Sequence, residues 1–172
     1  MGRLHTELVG TGRPRFAFLH GLFGRGRNWT QVAQSLADAG HACVLFDLPD
    51  HGASEWTGEF SYRRMAATVA DEIDLRLGSA AELVLVGHSM GGKVAMLTAL
   101  TRPDVVSGLV VIDIAPGRSA QVDTFGPLVA ALGSLDLTTL GSRAEADQRL
   151  RPQVPDDDVR LFLLQNLRRK GG

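Results

Sequence analysis

The residues best suited to chemistry lie in one stretch, Val84-Leu85-Val86-Gly87-His88-Ser89-Met90-Gly91-Gly92-Lys93. A short β-branched run ends in Gly-x-Ser-x-Gly and passes at once into an alanine-rich helical segment. Strand, sharp turn and helix form the context in which such a serine becomes a nucleophile. Its strained backbone projects the hydroxyl from the end of a sheet, and side chains two positions before and after it would collide. The competing reading is a chance gathering of small residues in a βα turn, and the flanking strand and helix weigh against it. Met90 opens the helix, so its N–H and the positive end of the helix dipole face the reacting group. Ser89 is the candidate nucleophile and Met90 N–H a candidate oxyanion donor.

A tetrahedral intermediate needs two preorganised N–H donors, and removing one typically costs about 3–4 kcal/mol of transition-state stabilisation. The second donor is sought in His20-Gly21-Leu22-Phe23-Gly24, whose glycines demand a tight loop with backbone close to a ligand. Leu22 N–H is the first choice and Phe23 N–H the second. His20 is expected to brace this loop by hydrogen bonds. His88, beside the serine, is expected to pack or brace, because a base must reach the hydroxyl it deprotonates and His88 points away from it.

These loops need a scaffold. Residues 4–9, 16–19, 42–46, 83–86 and 109–112 read as strands, the last running into Asp113-Ile114-Ala115-Pro116. Asn28 is expected to cap a helix with Trp29, Val32, Ala33 and Leu36 at helical spacing, closed by Gly40. A longer helix is expected over 60–77, with Met65, Val69 and Ile73 as its buried stripe and Asp71, Glu72 and Asp74 facing water. A third spans 91–101 and stops before Pro103. Continuous apolar strands alternating with helices imply an α/β fold, a mostly parallel sheet with helices on both faces. The loops after its strands are where such a sheet places a site.

Beyond Gly117 the pattern changes. Residues 123–132, 142–150 and 156–167 read as helices with no strand between them, expected to form a partial helical cap (118–172) over the core (1–117). In the last helix Val159, Phe162, Leu163 and Leu167 form an apolar face, which suits core packing or the lining of an acyl pocket. A basic tail, 168–172, follows.

Composition excludes several classes. The chain has 172 residues, 44% hydrophobic and 22% charged, ordinary for a globular protein with one substantial core. A net charge of −1 gives no reason to expect nucleic acid or a membrane surface as partner. Cys43, the single cysteine, lies in an apolar run, so a buried thiol is expected, consistent with a reducing cytoplasm. No apolar run approaches membrane-spanning length, and Met1-Gly2-Arg3-Leu4-His5 lacks a signal-peptide core.

Four stretches carry a resemblance: His20-Gly21-Leu22-Phe23-Gly24, Asp47-Leu48-Pro49-Asp50-His51-Gly52-Ala53-Ser54, Gly87-His88-Ser89-Met90-Gly91-Gly92-Lys93 and Asp113-Ile114-Ala115-Pro116. In this order and spacing the chain resembles an α/β-hydrolase of the small serine esterase type. The last two stretches are similar to YbfF-like acyl-ester hydrolases and their mitochondrial relatives. The resemblance runs from about residue 4 into the cap. It implies hydrolysis of small carboxylic esters or thioesters through an acyl-serine, with no metal or organic cofactor. It also implies a Ser–acid–His triad in that chain order. In a subset of such enzymes the acid follows the strand directly after the nucleophile, where Asp113 stands. The alternative for Asp113 is a structural aspartate capping a loop.

The histidine implied by the resemblance comes late in the chain, yet His5, His20, His41, His51 and His88 all precede Ser89. The expectation is therefore an N-terminal part of a split or truncated hydrolase, with the base supplied by a C-terminal half. Strand 109–112 would then form an apolar sheet edge. Two other readings stay open: a non-catalytic fragment or binding module of the same fold, and another reaction of that fold such as carbon–carbon bond hydrolysis.

Overall fold

The computed structural model describes residues 3–78, 82–117 and 122–168, with side chains from 125 onward in the last span. The basic tail beyond 168 lies outside the described residues. The chain forms two compact units, Met1–Gly117 and Arg118–Gly172.

The first unit is built on a five-stranded sheet: β1 (Thr6–Val9), β2 (Phe16–Leu19), β3 (Cys43–Phe46), β4 (Val84–His88) and β5 (Gly108–Ile112). The spatial order is β1-β3-β2-β4-β5, with β1 antiparallel to β3 and every other pair parallel. Alternation along the central strands sorts side chains onto two faces. Ala17, Leu19, Val44, Phe46 and Leu85 pack with Met65, Val69 and Ile73 of α2 (Tyr62–Leu77) and Val94 and Ala95 of α3 (Met90–Thr101). Phe18, Cys43, Leu45 and Val86 pack on the other face with Ala33 and Leu36 of α1 (Thr30–Asp38). Both faces of β2, β3 and β4 are therefore covered, which explains their uninterrupted apolar sequence. At the edge, β5 leaves Leu109, Val110 and Ile112 partly exposed. No helix of the described residues is long and apolar enough to cross a membrane.

Several local expectations need correction. Asn28 does not cap α1. A 3-10 turn, Gly26–Trp29, precedes that helix, and the Asn28 amide oxygen accepts from Arg25 N–H at the start of the turn. Val32 is nearly half exposed, because the helix turns Ala33 fully, and Leu36 and Ala37 partly, toward the sheet. The longer helix starts at Tyr62, with Ser61 rather than Phe60 region residues setting its end: the Ser61 hydroxyl accepts from Arg64 N–H. Glu72 does not face water. It is 5% exposed and its carboxylate accepts from Arg76 Nε one turn on, so the pair is buried from one side.

The second unit contains α4 (Val122–Gly133), α5 (Arg143–Leu150) and α6 (Asp157–Leu164), with Ser142 and Asp156 accepting from Glu145 N–H and Val159 N–H as N-caps. Its centre is a charged residue that the apolar pattern conceals. Arg160 is 1% exposed. Its guanidinium donates to Asp147 Oδ1 (2.7 Å), Asp157 Oδ1 (2.5 Å), Val154 O (2.9 Å) and Pro155 O (2.8 Å). A planar fork of five donors suits such divergent acceptors, and a lysine would not. Leu163 and Leu164 are buried beside it, whereas Phe162 is 40% exposed, so the apolar face of α6 is rotated from the expected one.

Replacing Arg160 removes the donors of two loop carbonyls and leaves the Asp147 carboxylate only its longer pair with Arg151. Arg160→Ala should lower unfolding stability several times more than Arg151→Ala, which removes only exposed charge contacts with Asp147 and Asp157. Urea denaturation of both variants checks the difference.

Candidate active site

Ser89 stands where β4 meets α3, with φ +50° and ψ −116°. Few residues other than glycine tolerate this backbone, and it turns the serine side chain outward from the junction. The turn closes because nothing larger than hydrogen stands at its flanks. A Cβ on Gly87 would collide with Gly91 O, and one on Gly91 would lie 2.5 Å from both Leu19 O and His20 O. The first turn of α3 thus rests directly on the carbonyl end of β2. Met90, the first residue of α3, has no helical acceptor for its N–H.

Resting α3 on β2 brings the next loop to the serine. An added Cβ on Gly21 would lie 3.4 Å from Ser89 Cβ and 2.9 Å from His88 Nδ1. Gly24 N–H donates to Gly21 O (3.0 Å), closing a turn that carries Leu22 and Phe23, the latter at φ +63°. The structure therefore brings together Ser89, Met90 and the 21–24 loop.

His20 holds that loop to its neighbour. Leu48 N–H donates to His20 Nε2 (3.0 Å), so the ring proton sits on Nδ1 and is donated to Gly21 O (2.8 Å). Burial pushes the imidazole down to about 4; the bond to Gly21 O opposes this and the nearby His51 adds to it. With both nitrogens occupied and the ring neutral, His20 is a brace and has no free nitrogen to serve as a base.

Asp47 is the polar hub that the sequence reading passed over. It is 5% exposed. Its carboxylate accepts from Gly26 N–H and Ala53 N–H, both at 2.7 Å, and lies 3.1 Å from His5 Nδ1. Its carbonyl accepts from the buried Ser54 hydroxyl (2.6 Å), which in turn accepts from His5 N–H (2.9 Å). One carboxylate so joins the loops after β2 and β3 to the chain before β1. Asp50, at φ +63°, orders the next turn. Burial alone would raise its carboxyl, but the N–H groups of Thr57 and Gly58 and the Thr57 hydroxyl outweigh that and hold it below the usual carboxylate range. A signal was present in the sequence: an aspartate directly after a buried strand has no water to solvate it and must find N–H donors.

Asp113 follows β5 at φ +55°, with a carboxylate 70% exposed. Its Oδ2 lies 3.8 Å from His88 Nε2, beyond hydrogen-bond range, and the His88 ring meets Trp29 edge-on at 6.5 Å. Among the described residues no histidine ring is hydrogen-bonded to Ser89 Oγ, and no cluster of His, Cys, Asp or Glu is arranged to hold a metal ion.

His20 carries a pH consequence. The native ring stays neutral down to about pH 4, while the unfolded chain takes up a proton near pH 6.5. The stabilisation is complete above pH 6.5, declines as pH falls toward 4, and is then lost, a swing on the order of 3 kcal/mol. The acid limb of a stability–pH curve should therefore lose about one proton of slope in His20→Asn, measured by denaturation at closely spaced pH values.

The sequence model of the alpha/beta hydrolase fold matches residues 14–149, which take in the 21–24 loop, the elbow and Asp113. The chain is similar to sn-1-specific diacylglycerol lipase ABHD11 of Mus musculus, 38% identical over 164 residues, 92% of this chain and 53% of that protein. Ethanol acetyltransferase 1 of Wickerhamomyces ciferrii is 31% identical over 158 residues, 87% of this chain and 40% of that protein. A solved marine microorganism esterase superposes with a TM-score of 0.92 at 35% identity, covering 99% of this chain and 66% of that one. The chain spans about half the length of the curated relatives it matches. With its mostly parallel sheet and helices on both faces, the chain belongs to the alpha/beta hydrolase fold family.

Proposed function

We propose that this chain carries the nucleophile part of a serine hydrolase site for carboxylic esters or thioesters. The observation that carries the reading is the left-handed Ser89 at a strand–helix junction, with Gly21 so close that a Cβ added to it would lie 3.4 Å from Ser89 Cβ. In this mechanism Ser89 Oγ attacks the acyl carbonyl and gives its proton to a histidine. The oxyanion lies between Met90 N–H and Leu22 N–H, with Phe23 N–H as the alternative second donor. The alcohol or thiol leaves with the proton, and water then releases the acid from the acyl-serine. Asp113 orients and stabilises the imidazolium. The histidine comes from outside these 172 residues, in a C-terminal segment or partner that the longer relatives' lengths support. Residues 118–172 are a partial helical cap. The buried, unpaired Cys43 thiol fits a reducing, cytoplasmic setting.

The names of the relatives support an ester substrate, a lipase and an esterase among them. The similarity to an ethanol acetyltransferase favours a second reading, in which an alcohol rather than water accepts the acyl group.

A fluorophosphonate probe tests the nucleophile. Covalent labelling at Ser89, lost in Ser89→Ala, is the expected result. A chain that stays unlabelled even with its histidine-bearing segment supplied would favour a non-catalytic module. In the completed protein Asp113→Asn should lower ester turnover about 10³–10⁴-fold, measured as kcat on a short chromogenic ester; a change under about tenfold would make Asp113 structural only.

A further inference from the structure

The serine and the carboxylate proposed to serve it lie on different strands, and three contacts clamp them together. Before Asp113, Ser89 N–H donates to Ile112 O at 3.0 Å. Just after it, Ile114 Cγ2 occupies the space over Gly92, where an added Cβ would lie 2.5 Å away. Further on, the Lys93 ammonium donates to Gly117 O. Ser89, Gly92 and Lys93 are the N-cap and first turn of α3, and their three partners straddle Asp113.

Asp113 has little else to fix it. Its backbone is left-handed, a conformation that is strained for a non-glycine residue and persists only when its surroundings impose it. Its exposed carboxylate makes no hydrogen bond among the described residues, and His88 Nε2 lies 3.8 Å from it. The position of the carboxylate must therefore come from the backbone on either side. On the far side that hold is the Ile114 side chain packed over Gly92 and, at the end of the turn, one charged donor on a half-buried aliphatic stem, reaching from the serine helix to the Gly117 carbonyl.

We infer that Lys93 is a positioning residue: its ammonium pins the 113–117 turn to the serine helix and so fixes Asp113 beside the elbow. The catalytic meaning of this rests on Asp113 being the triad acid, but the positioning itself is measurable without turnover.

The experiment is NMR of the 172-residue chain with isotope-labelled histidine, reading the His88 ring resonances at fixed pH. Asp113→Asn should shift them, because the carboxylate faces the ring. Lys93→Met should shift them in the same direction by at least half as much, and should add nothing in the Asp113→Asn background. Lys93→Arg, which keeps a charged donor, should restore the wild-type positions. Lys93→Gln serves as the second donor-weakened variant should Lys93→Met not fold. The proposal is overturned if Lys93→Met leaves the ring at its wild-type resonances while Asp113→Asn moves it, if the two effects simply add, or if the ring ignores Asp113→Asn. Expected ring shifts alongside a Ser89 that takes no fluorophosphonate would keep the positioning role and remove the catalytic reading, so the two fail separately.

Discussion

The left-handed backbone of Ser89 is the constraint on which the first unit depends. A non-glycine residue held there stores about 1–3 kcal/mol of strain, so the fold must impose it. It does so by bringing β4, α3 and the end of β2 into backbone contact. Gly87 and Gly91 give up side chains to permit this, and α3 then rests on the Leu19 and His20 carbonyls. That close approach is what sets the 21–24 loop against the serine. The same helix turn holds β5 through Ser89 N–H and the 113–117 turn through Lys93. A single tight junction thus registers three loops that come from three strands.

The loops are stiffened by buried polar groups, each with its partners supplied. His20 spends both ring nitrogens on backbone, and Asp47 gathers two N–H groups and a histidine from segments far apart in sequence. Arg160 plays the same part in the second unit, where three short helices bury little apolar surface. Groups of this kind are costly if left unpaired and rigid when satisfied, which makes them suited to holding loops that no sheet ladder fixes.

What could be read from sequence divides along the same line. The strands were legible because both faces of β2, β3 and β4 are covered and their residues are apolar without a break. Met65, Val69 and Ile73 marked the buried stripe of α2 because every fourth residue returns to one face. The strand–turn–helix context of Ser89 was legible because only glycine fits at 87 and 91. The buried charges were not. Glu72 and Arg160 look like solvated residues until their partners are known, and Asp47, whose place after a buried strand calls for N–H donors, finds its Gly26 donor 21 residues away. Asn28 misled because its amide serves a 3-10 turn, whose short repeat has no apolar signature. The histidine of the proposed triad is a different matter, since no reading of these residues supplies one after Ser89.

The central claim is that Ser89 and two flanking backbone N–H groups form a preorganised acyl-transfer site. A crystal structure of the fluorophosphonate adduct tests it most directly. The account predicts phosphorus on Ser89 Oγ and the phosphonyl oxygen about 2.7–3.1 Å from Met90 N–H and from Leu22 or Phe23 N–H. A phosphonyl oxygen turned to solvent, or bonded to neither loop, would contradict it.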